Sequence, residues 1–241
     1  MTLLFSGIQD IANMSAKTSS SLSLVVVIAW LGLITLGAEE AEALLHWKSS
    51  LHFQSLSSWS PNKTTCLWIG ISCNGAGSVT RINLSNFTLH GSLHSFNFSS
   101  FPSLTHLNLS SNNLTENIPT LIGTLSKLTM LDLSINQLSG SIPQEIGTLS
   151  KLTFLDLSIN QLLGPIPKEI CNLTNLAELW IHDNLLMGPI PSNIKNMVHL
   201  AYLMLFNNQI SGSIPEEVGM LESLTGLNLY TNRLVGRIPP S

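Results

Sequence analysis

Residues 128–151 read LTMLDLSINQLSGSIPQEIGTLSK, and residues 152–175 follow as LTFLDLSINQLLGPIPKEICNLTN. The two stretches carry leucine, asparagine, glycine, isoleucine and proline at the same places, 24 residues apart. The same interval separates the members of two longer series: Asn112, Asn136, Asn160, Asn184, Asn208 and Asn232, and Pro119, Pro143, Pro167, Pro191, Pro215 and Pro239. A fixed period of this kind predicts structural units that stack on one another into a solenoid.

Each unit contains a Leu-x-Leu pair, such as Leu131 and Leu133, whose alternation predicts a short strand with both leucines buried. Stacking one strand per unit gives seven parallel strands. Asn136 is expected to turn inward and to satisfy backbone groups of adjacent coils. An extended segment follows around Ile142-Pro143, because proline removes a donor where no ladder bond is needed. The first unit has Phe87 in place of the asparagine.

The composition limits the possible functions. Leucine supplies 44 of the 241 residues, charged residues make up 10%, and the net charge is -4. The ten Lys and Arg residues are scattered singly, so no basic stripe is available for a nucleic acid. The glycines belong to the repeat frame, and no kinase motif set or metal-ligand cluster is present. We therefore expect no nucleic-acid partner, no metal, no cofactor and no enzymatic activity.

The amino-terminal 38 residues have the features of a secretory signal peptide. No charge occurs between Lys17 and Glu39, and residues 22–36 are almost wholly apolar. Cleavage is the favoured interpretation. An uncleaved signal anchor is the alternative, because about 20 apolar residues can span a bilayer. Met14 begins a more ordinary leader than Met1, which leads to the hypothesis that translation starts there.

Two further signals agree with secretion. Cys66 and Cys73 are close enough in sequence to form a local disulfide in an oxidising compartment. The predicted N-glycosylation sites, each an Asn-x-Ser/Thr sequon, are Asn62, Asn83, Asn86, Asn97, Asn108, Asn113 and Asn172.

Two motifs precede the repeats: residues 42–48 read EALLHWK and, after Trp59, residues 66–73 read CLWIGISC. With the Leu-x-Gly-x-Ile-Pro form of the units, they resemble the plant extracellular type of leucine-rich-repeat protein and its N-terminal cap. The resemblance is nearest to ectodomains of leucine-rich-repeat receptor-like kinases of the male-discoverer-interacting receptor group. It implies an α/β-type solenoid, a right-handed superhelix with a parallel sheet on its concave face. A disulfide-containing cap is expected over residues 39–78 and about seven repeats over 79–241.

Receptors of this kind continue through more repeats, a transmembrane helix and a cytoplasmic kinase. The last unit here is incomplete at Ser241, which favours a truncated gene model or a fragment; a genuine short secreted protein is the alternative. Cys171 replaces the glycine of the outer segment of its unit and is expected to be an unreactive free thiol.

The outward positions of the predicted strands differ along the chain. Large apolar side chains concentrate on the last four strands, whereas the first two strands present asparagine and serine. Exposed aromatic residues on a concave face are typical of a binding surface, although downstream coils or a glycan would cover them in the alternative interpretation. The predicted ligand-binding residues are Asp132, Phe154, Asp156, Glu178, Trp180, Tyr202, Met204, Phe206 and Tyr230.

Asp132 and Asp156 occupy the same place in adjacent units, so their side chains are expected to lie about 5 Å apart, as in retaining glycosidases. An open sheet lacks a cleft that raises the pKa of one carboxyl or holds a sugar. Solvated charges are therefore the favoured interpretation, followed by acids that meet a basic group of a ligand.

The sequence thus predicts a recognition ectodomain that binds a peptide or protein ligand on its concave face. By resemblance, a co-receptor ectodomain is a further partner. The rival interpretation is a soluble inhibitor of a cell-wall-degrading enzyme, similar to the polygalacturonase inhibitors. The expected location is the extracellular side of the plasma membrane for a receptor and the apoplast for an inhibitor.

Overall fold

The computed structural model describes residues 37–52 and 56–240. It begins with a helix, α1, over residues 37–50. Residues 1–36 of the predicted signal peptide lie outside the described residues. Within the described ranges, no helix is long and apolar enough to cross a membrane.

Aromatic side chains cap the first coil. Trp47 of α1 contacts Trp59 with ring centroids 6.4 Å apart, and Trp59 stacks on Trp68 at 5.4 Å. The predicted disulfide between Cys66 and Cys73 is present. A bond that closes such a short loop stabilises the fold by about 2–3 kcal/mol in the chain-entropy account. Since the loop carries Trp68, the disulfide also holds this ring against the first coil.

The cap adds a strand that the repeat pattern did not predict. Strand β1 (Ile71–Cys73) pairs antiparallel with β2 (Val79–Asn83). The chain reverses between them in a turn in which Asn74 Oδ1 accepts the backbone N–H groups of Ala76 and Ser78. The edge of the first coil is therefore paired.

Seven strands, one per coil, continue this sheet in parallel, as predicted. After β2 they are β4 (His106–Asn108), β6 (Met130–Asp132), β8 (Phe154–Asp156), β10 (Glu178–Trp180), β12 (Tyr202–Met204) and β14 (Gly226–Asn228). Their central leucines align, and Leu131, Leu155, Leu179 and Leu203 are at most 1% exposed. Burying one such side chain contributes about 1.5–3 kcal/mol.

The extended segments after the asparagines form a second sheet, where the sequence predicted only extended chain. Its strands are β3 (His90–Ser92), β5 (Asn113–Asn117), β7 (Gln137–Gly140), β9 (Gln161–Pro165), β11 (Leu185–Gly188), β13 (Gln209–Ser213) and β15 (Arg233–Val235). The glycine of each later unit supplies a left-handed backbone, as at Gly164 with φ +80°.

Short 3-10 helices close the outer side of the coils. They span Phe98–Ser100, Thr120–Thr124, Gln144–Thr148, Lys168–Asn172, Ser192–Asn196 and Glu216–Met220. The coils approach so closely that a Cβ on Gly147 would lie 2.2 Å from the carbonyl oxygen of Glu169. Cys171, at the equivalent place one coil later, is buried, and burial raises the pKa of its thiol to about 11. The thiol therefore stays protonated at neutral pH.

The recurring asparagines form the predicted internal ladder. Asn160 Nδ2 donates to the carbonyl oxygens of Leu133, Leu157 and Ser158, each at 3.1 Å. Its Oδ1 accepts the backbone N–H of Leu138 at 3.0 Å. Each such amide thus links two coils and satisfies backbone groups that water cannot reach.

Candidate functional site

The outward side chains of the parallel strands and of the second residue after each form one continuous surface, here called the concave face. Two parts of it differ. The polar half comprises the outward residues of β2, β4, β6 and β8: Arg81, Asn83, Ser85, His106, Asn108, Ser110, Met130, Asp132, Ser134, Phe154, Asp156 and Ser158. The aromatic half comprises those of β10, β12 and β14: Glu178, Trp180, His182, Tyr202, Met204, Phe206, Gly226, Asn228 and Tyr230.

Side chains of the polar half bond to their own coil. Asp132 Oδ1 accepts the hydroxyl of Ser134 at 2.7 Å and its backbone N–H at 3.0 Å. Asp156 and Ser158 repeat this arrangement at 2.6 and 2.8 Å. These carboxylates therefore have a structural role at the end of the strand.

Asp132 and Asp156 lie opposite each other in adjacent strands, as predicted from the repeat. Burial raises the pKa of Asp156, Asp132 raises it further, and the hydrogen bonds from Ser158 lower it. We expected that an open sheet would not raise the pKa of either carboxyl. For Asp156 this expectation was wrong, because neighbouring side chains keep water away from its carboxyl group. The hydrogen bonds from Ser134 and Ser158 favour the interpretation of structural acids over a catalytic pair.

The aromatic half is held together by ring stacking. His182 stacks on Phe206 with centroids 4.1 Å apart, and Phe206 stacks on Tyr230 at 4.8 Å. In the neighbouring columns Trp180 stacks on Tyr202 at 6.5 Å. Tyr202 and Tyr230 remain 41% and 56% exposed. The stacks therefore present apolar surface to solvent in fixed orientations.

Charged groups border these rings. The indole N–H of Trp180 donates to Glu178 Oε2 at 3.0 Å, which fixes the carboxylate beside the ring. His182 Nε2 lies 3.8 Å from Asp183 Oδ2, while its Nδ1 is one of two buried side-chain nitrogens without a hydrogen-bond partner among the described residues. Burial lowers the pKa of His182, and Asp183 and Asp156 raise it to a smaller extent. The ring is thus held neutral near pH 7.

The structure places all nine predicted ligand-binding residues on the concave face. It brings Trp180 and Tyr202 together in one stack, and Phe206 and Tyr230 in another. Phe154 is half-buried on β8, outside these stacks. The sequence reasoning missed His182, which joins the second stack. Its signal was its position, since it occupies the same column as Phe206 and Tyr230.

The predicted glycosylation sites differ in accessibility. Five of the seven asparagines are exposed: Asn62, Asn83, Asn86, Asn97 and Asn172. Asn108 and Asn113 are half-buried, and Asn108 Oδ1 accepts two hydrogen bonds from Ser110. Attachment of sugars stays a prediction.

Comparison with known families agrees with the architecture. Residues 38–74 match the family described as "Leucine rich repeat N-terminal domain". Residues 102–162, 175–197 and 199–221 match families described as leucine-rich repeats.

Several plant receptor kinases are similar to the chain. MDIS1-interacting receptor like kinase 2 of Arabidopsis thaliana is 46% identical over 96 residues, which are 37% of this chain and 9% of that protein. The Arabidopsis HAESA ectodomain with its IDA peptide hormone superposes with a TM-score of 0.76 and 36% identity, covering 85% of this chain and 35% of that one. HAESA with IDA and the co-receptor SERK1 gives 0.55 and 30%, covering 83% and 43%. The chain thus spans less than half the length of each of these proteins.

Proposed function

Because the chain is a leucine-rich-repeat protein similar to plant receptor-kinase ectodomains, we propose that it is an extracellular recognition module without catalytic activity of its own. It binds a peptide or protein ligand on the aromatic half of the concave face. In a receptor it acts on the extracellular side of the plasma membrane, and a co-receptor ectodomain joins the complex.

One observation carries this proposal: aromatic side chains stack across three successive coils, and two of them, Tyr202 and Tyr230, are 41% and 56% exposed. Monomeric proteins seldom leave large aromatic residues together in solvent, and such clusters are enriched in interface hot spots. The parallel sheet beneath them is rigid, so the rings are ordered before a ligand arrives and binding costs less entropy. HAESA, which has the same architecture, is seen with a peptide hormone.

The test begins with a random peptide library displayed on phage and selected on the secreted protein. For a selected peptide, replacing Trp180 and Tyr202 by alanine should raise Kd more than tenfold, because a central aromatic residue contributes about 2 kcal/mol or more. Isothermal titration calorimetry measures Kd, and circular dichroism checks that the fold is unchanged.

The matched control replaces His106 and Met130, which lie in the polar half in the same column as Tyr202, by alanine. This variant should bind as the parent does. Equal affinity of all three proteins would contradict the placement of the ligand on the aromatic half.

A further inference from the structure

We propose that the aromatic half and Asp156 together bind a cationic side chain. The ligand is then a peptide with an arginine that contacts Trp180. The inference rests on the proposed function and deepens it by naming the chemistry of the ligand.

The first support is the distribution of charge. The outward positions of β6, β8, β10, β12 and β14 carry three carboxylates, Asp132, Asp156 and Glu178, and no lysine or arginine. In the part of the chain that the structure describes, none of the three is in an ion pair. A ligand of positive charge is therefore attracted and a negative one repelled.

The second support is the geometry around Trp180. Glu178 is fixed beside the indole by the 3.0 Å hydrogen bond from Nε1. Asp156 lies opposite Trp180 in register on the adjacent strand, and parallel strands are about 4.8 Å apart. Tyr202 stacks on the ring at 6.5 Å. An indole with carboxylates on two sides combines cation–π attraction with charge-assisted hydrogen bonding.

The third support is the number of acceptors around Trp180. Glu178 and Asp156 each carry a carboxylate beside the indole. The ring of His182 lies 5.9 Å from Trp180, and its buried Nδ1 has no hydrogen-bond partner among the described residues. A group with several N–H donors can bond to both carboxylates at once, which a single point charge does less well. Guanidinium has five donors in a planar fork, whereas ammonium has three.

The test uses argininamide, lysinamide and citrullinamide as probes. All three are used as Nα-acetyl derivatives, so that citrullinamide has nearly the shape of argininamide but no charge. The 15N-labelled secreted protein is titrated at low salt, and the readout is the indole N–H resonance of Trp180, assigned by its loss in Trp180→Phe. Argininamide should shift this resonance saturably and lysinamide more weakly. Citrullinamide should leave it in place.

Two charge-neutral variants locate the effect. Glu178→Gln keeps an acceptor for the indole N–H and should weaken argininamide binding at least fivefold. Asp156→Gln should weaken it as well; glutamine is chosen because Asp156→Asn would create an Asn-Leu-Ser sequon. Glu216→Gln, on an outer 3-10 helix, is the control that should bind as the parent does.

The outcomes separate the two proposals. Absence of a saturable shift up to about 100 mM argininamide, a very weak affinity, would overturn the cationic site. An equal response to citrullinamide would also overturn it. If selected peptides still lose affinity in the Trp180 and Tyr202 variant but tolerate citrulline in place of arginine, the proposed function stands and this inference fails. If the Trp180 and Tyr202 variant binds selected peptides as the parent does, while argininamide still shifts the Trp180 resonance of the parent, the cation site stands and the peptide surface lies elsewhere.

Discussion

The polar and aromatic halves of the concave face are built on the same repeat and differ mainly in what they present to solvent. In both, the asparagine ladder links the coils and the aligned leucines are buried, except Leu227 of β14, which is 44% exposed. In the polar half, outward acids bond to serines of their own coil. In the aromatic half, rings stack on rings of the next coil and remain partly exposed.

This difference separates the residues that make the coil from those that are free to vary. A buried leucine or a ladder asparagine is constrained, because a neighbouring coil depends on it. An outward residue contacts few neighbours, so its identity carries little folding information. We therefore propose that the ligand surface begins where the outward residues change from polar groups bonded within their own coil to partly exposed rings.

The largest expected effect tests whether the two halves share one interior. Leu155→Ala in the polar half and Leu203→Ala in the aromatic half should each lower the free energy of unfolding by about 2–5 kcal/mol, because each leaves a cavity. Urea denaturation followed by circular dichroism measures this loss. The outward control, Phe154→Ala, should cost about 1 kcal/mol or less. A cost at Leu203 near that of the control would mean that the aromatic half is not a packed repeat.

The second prediction concerns the cap, which supports the polar half alone. Glu40 is fully buried, and both carboxyl oxygens accept the backbone N–H of Val79 in β2, at 3.1 and 2.9 Å. Glu40→Ala leaves this N–H unpaired and should cost about 1–3 kcal/mol. Hydrogen exchange should accelerate in β2 and β4 and stay unchanged in β12 and β14, since stability in a solenoid passes between neighbours. Uniform acceleration would contradict this local coupling.

The same residue gives a pH dependence. Burial raises the pKa of Glu40 above its usual 4.5, and the hydrogen bond from Val79 lowers it by less. The folded protein therefore binds this proton more tightly than the unfolded chain. The associated stability is present below pH 4.5 and is lost as the pH rises through the raised pKa of the folded state. Relative to Glu40→Gln, the parent should lose stability as the pH rises above 4.5; a difference that stays constant with pH would contradict the raised pKa.

The smallest change in stability is expected at a backbone position with positive φ that recurs next to both halves. Ile135 and Ile159, next to the polar half, have φ of 54° and are 47% and 44% exposed. Asp183 and Asn207 hold the equivalent places next to the aromatic half, with φ of 52° and 50°. A β-branched residue is strained in this left-handed region, where Asn and Asp are favoured. Ile135→Asn and Ile159→Asn should each stabilise the fold by about 1 kcal/mol in urea denaturation, and a loss would indicate that these side chains pack.

Much of this architecture was predictable because its determinants repeat. The 24-residue period specified one parallel strand per coil, the inward asparagines and the buried leucines. The second sheet was not predicted, because Gln137 to Gly140 show no alternation of apolar and polar residues. Strand β1 depends on the turn at Asn74, a single local event outside the repeat.

The positions of the candidate residues on the concave face were predictable from the sequence, but the contacts of these residues were not. The clustering of aromatic residues on the later strands follows from counting positions. The bonds of Asp132 and Asp156 to their serines, and the joining of His182 to a ring stack, depend on side-chain rotamers that spacing does not determine. The burial of Glu40 depends on how α1 docks, which no repeat constrains.

The most direct test of the two-halves account places a glycan on the aromatic half. Tyr230→Thr creates an Asn-Leu-Thr sequon at Asn228, comparable to the natural Asn-Leu-Ser sequons at Asn83 and Asn108 in the polar half. Mass spectrometry verifies that Asn228 carries a glycan. The Kd of a selected peptide is then measured before and after enzymatic removal of the sugar. Because both forms lack Tyr230, the comparison reports the effect of the glycan alone. We expect the glycosylated form to bind at least tenfold more weakly, about 1.4 kcal/mol, and enzymatic removal to restore affinity. Equal affinity before and after removal would contradict the claim that the ligand lies on the aromatic half.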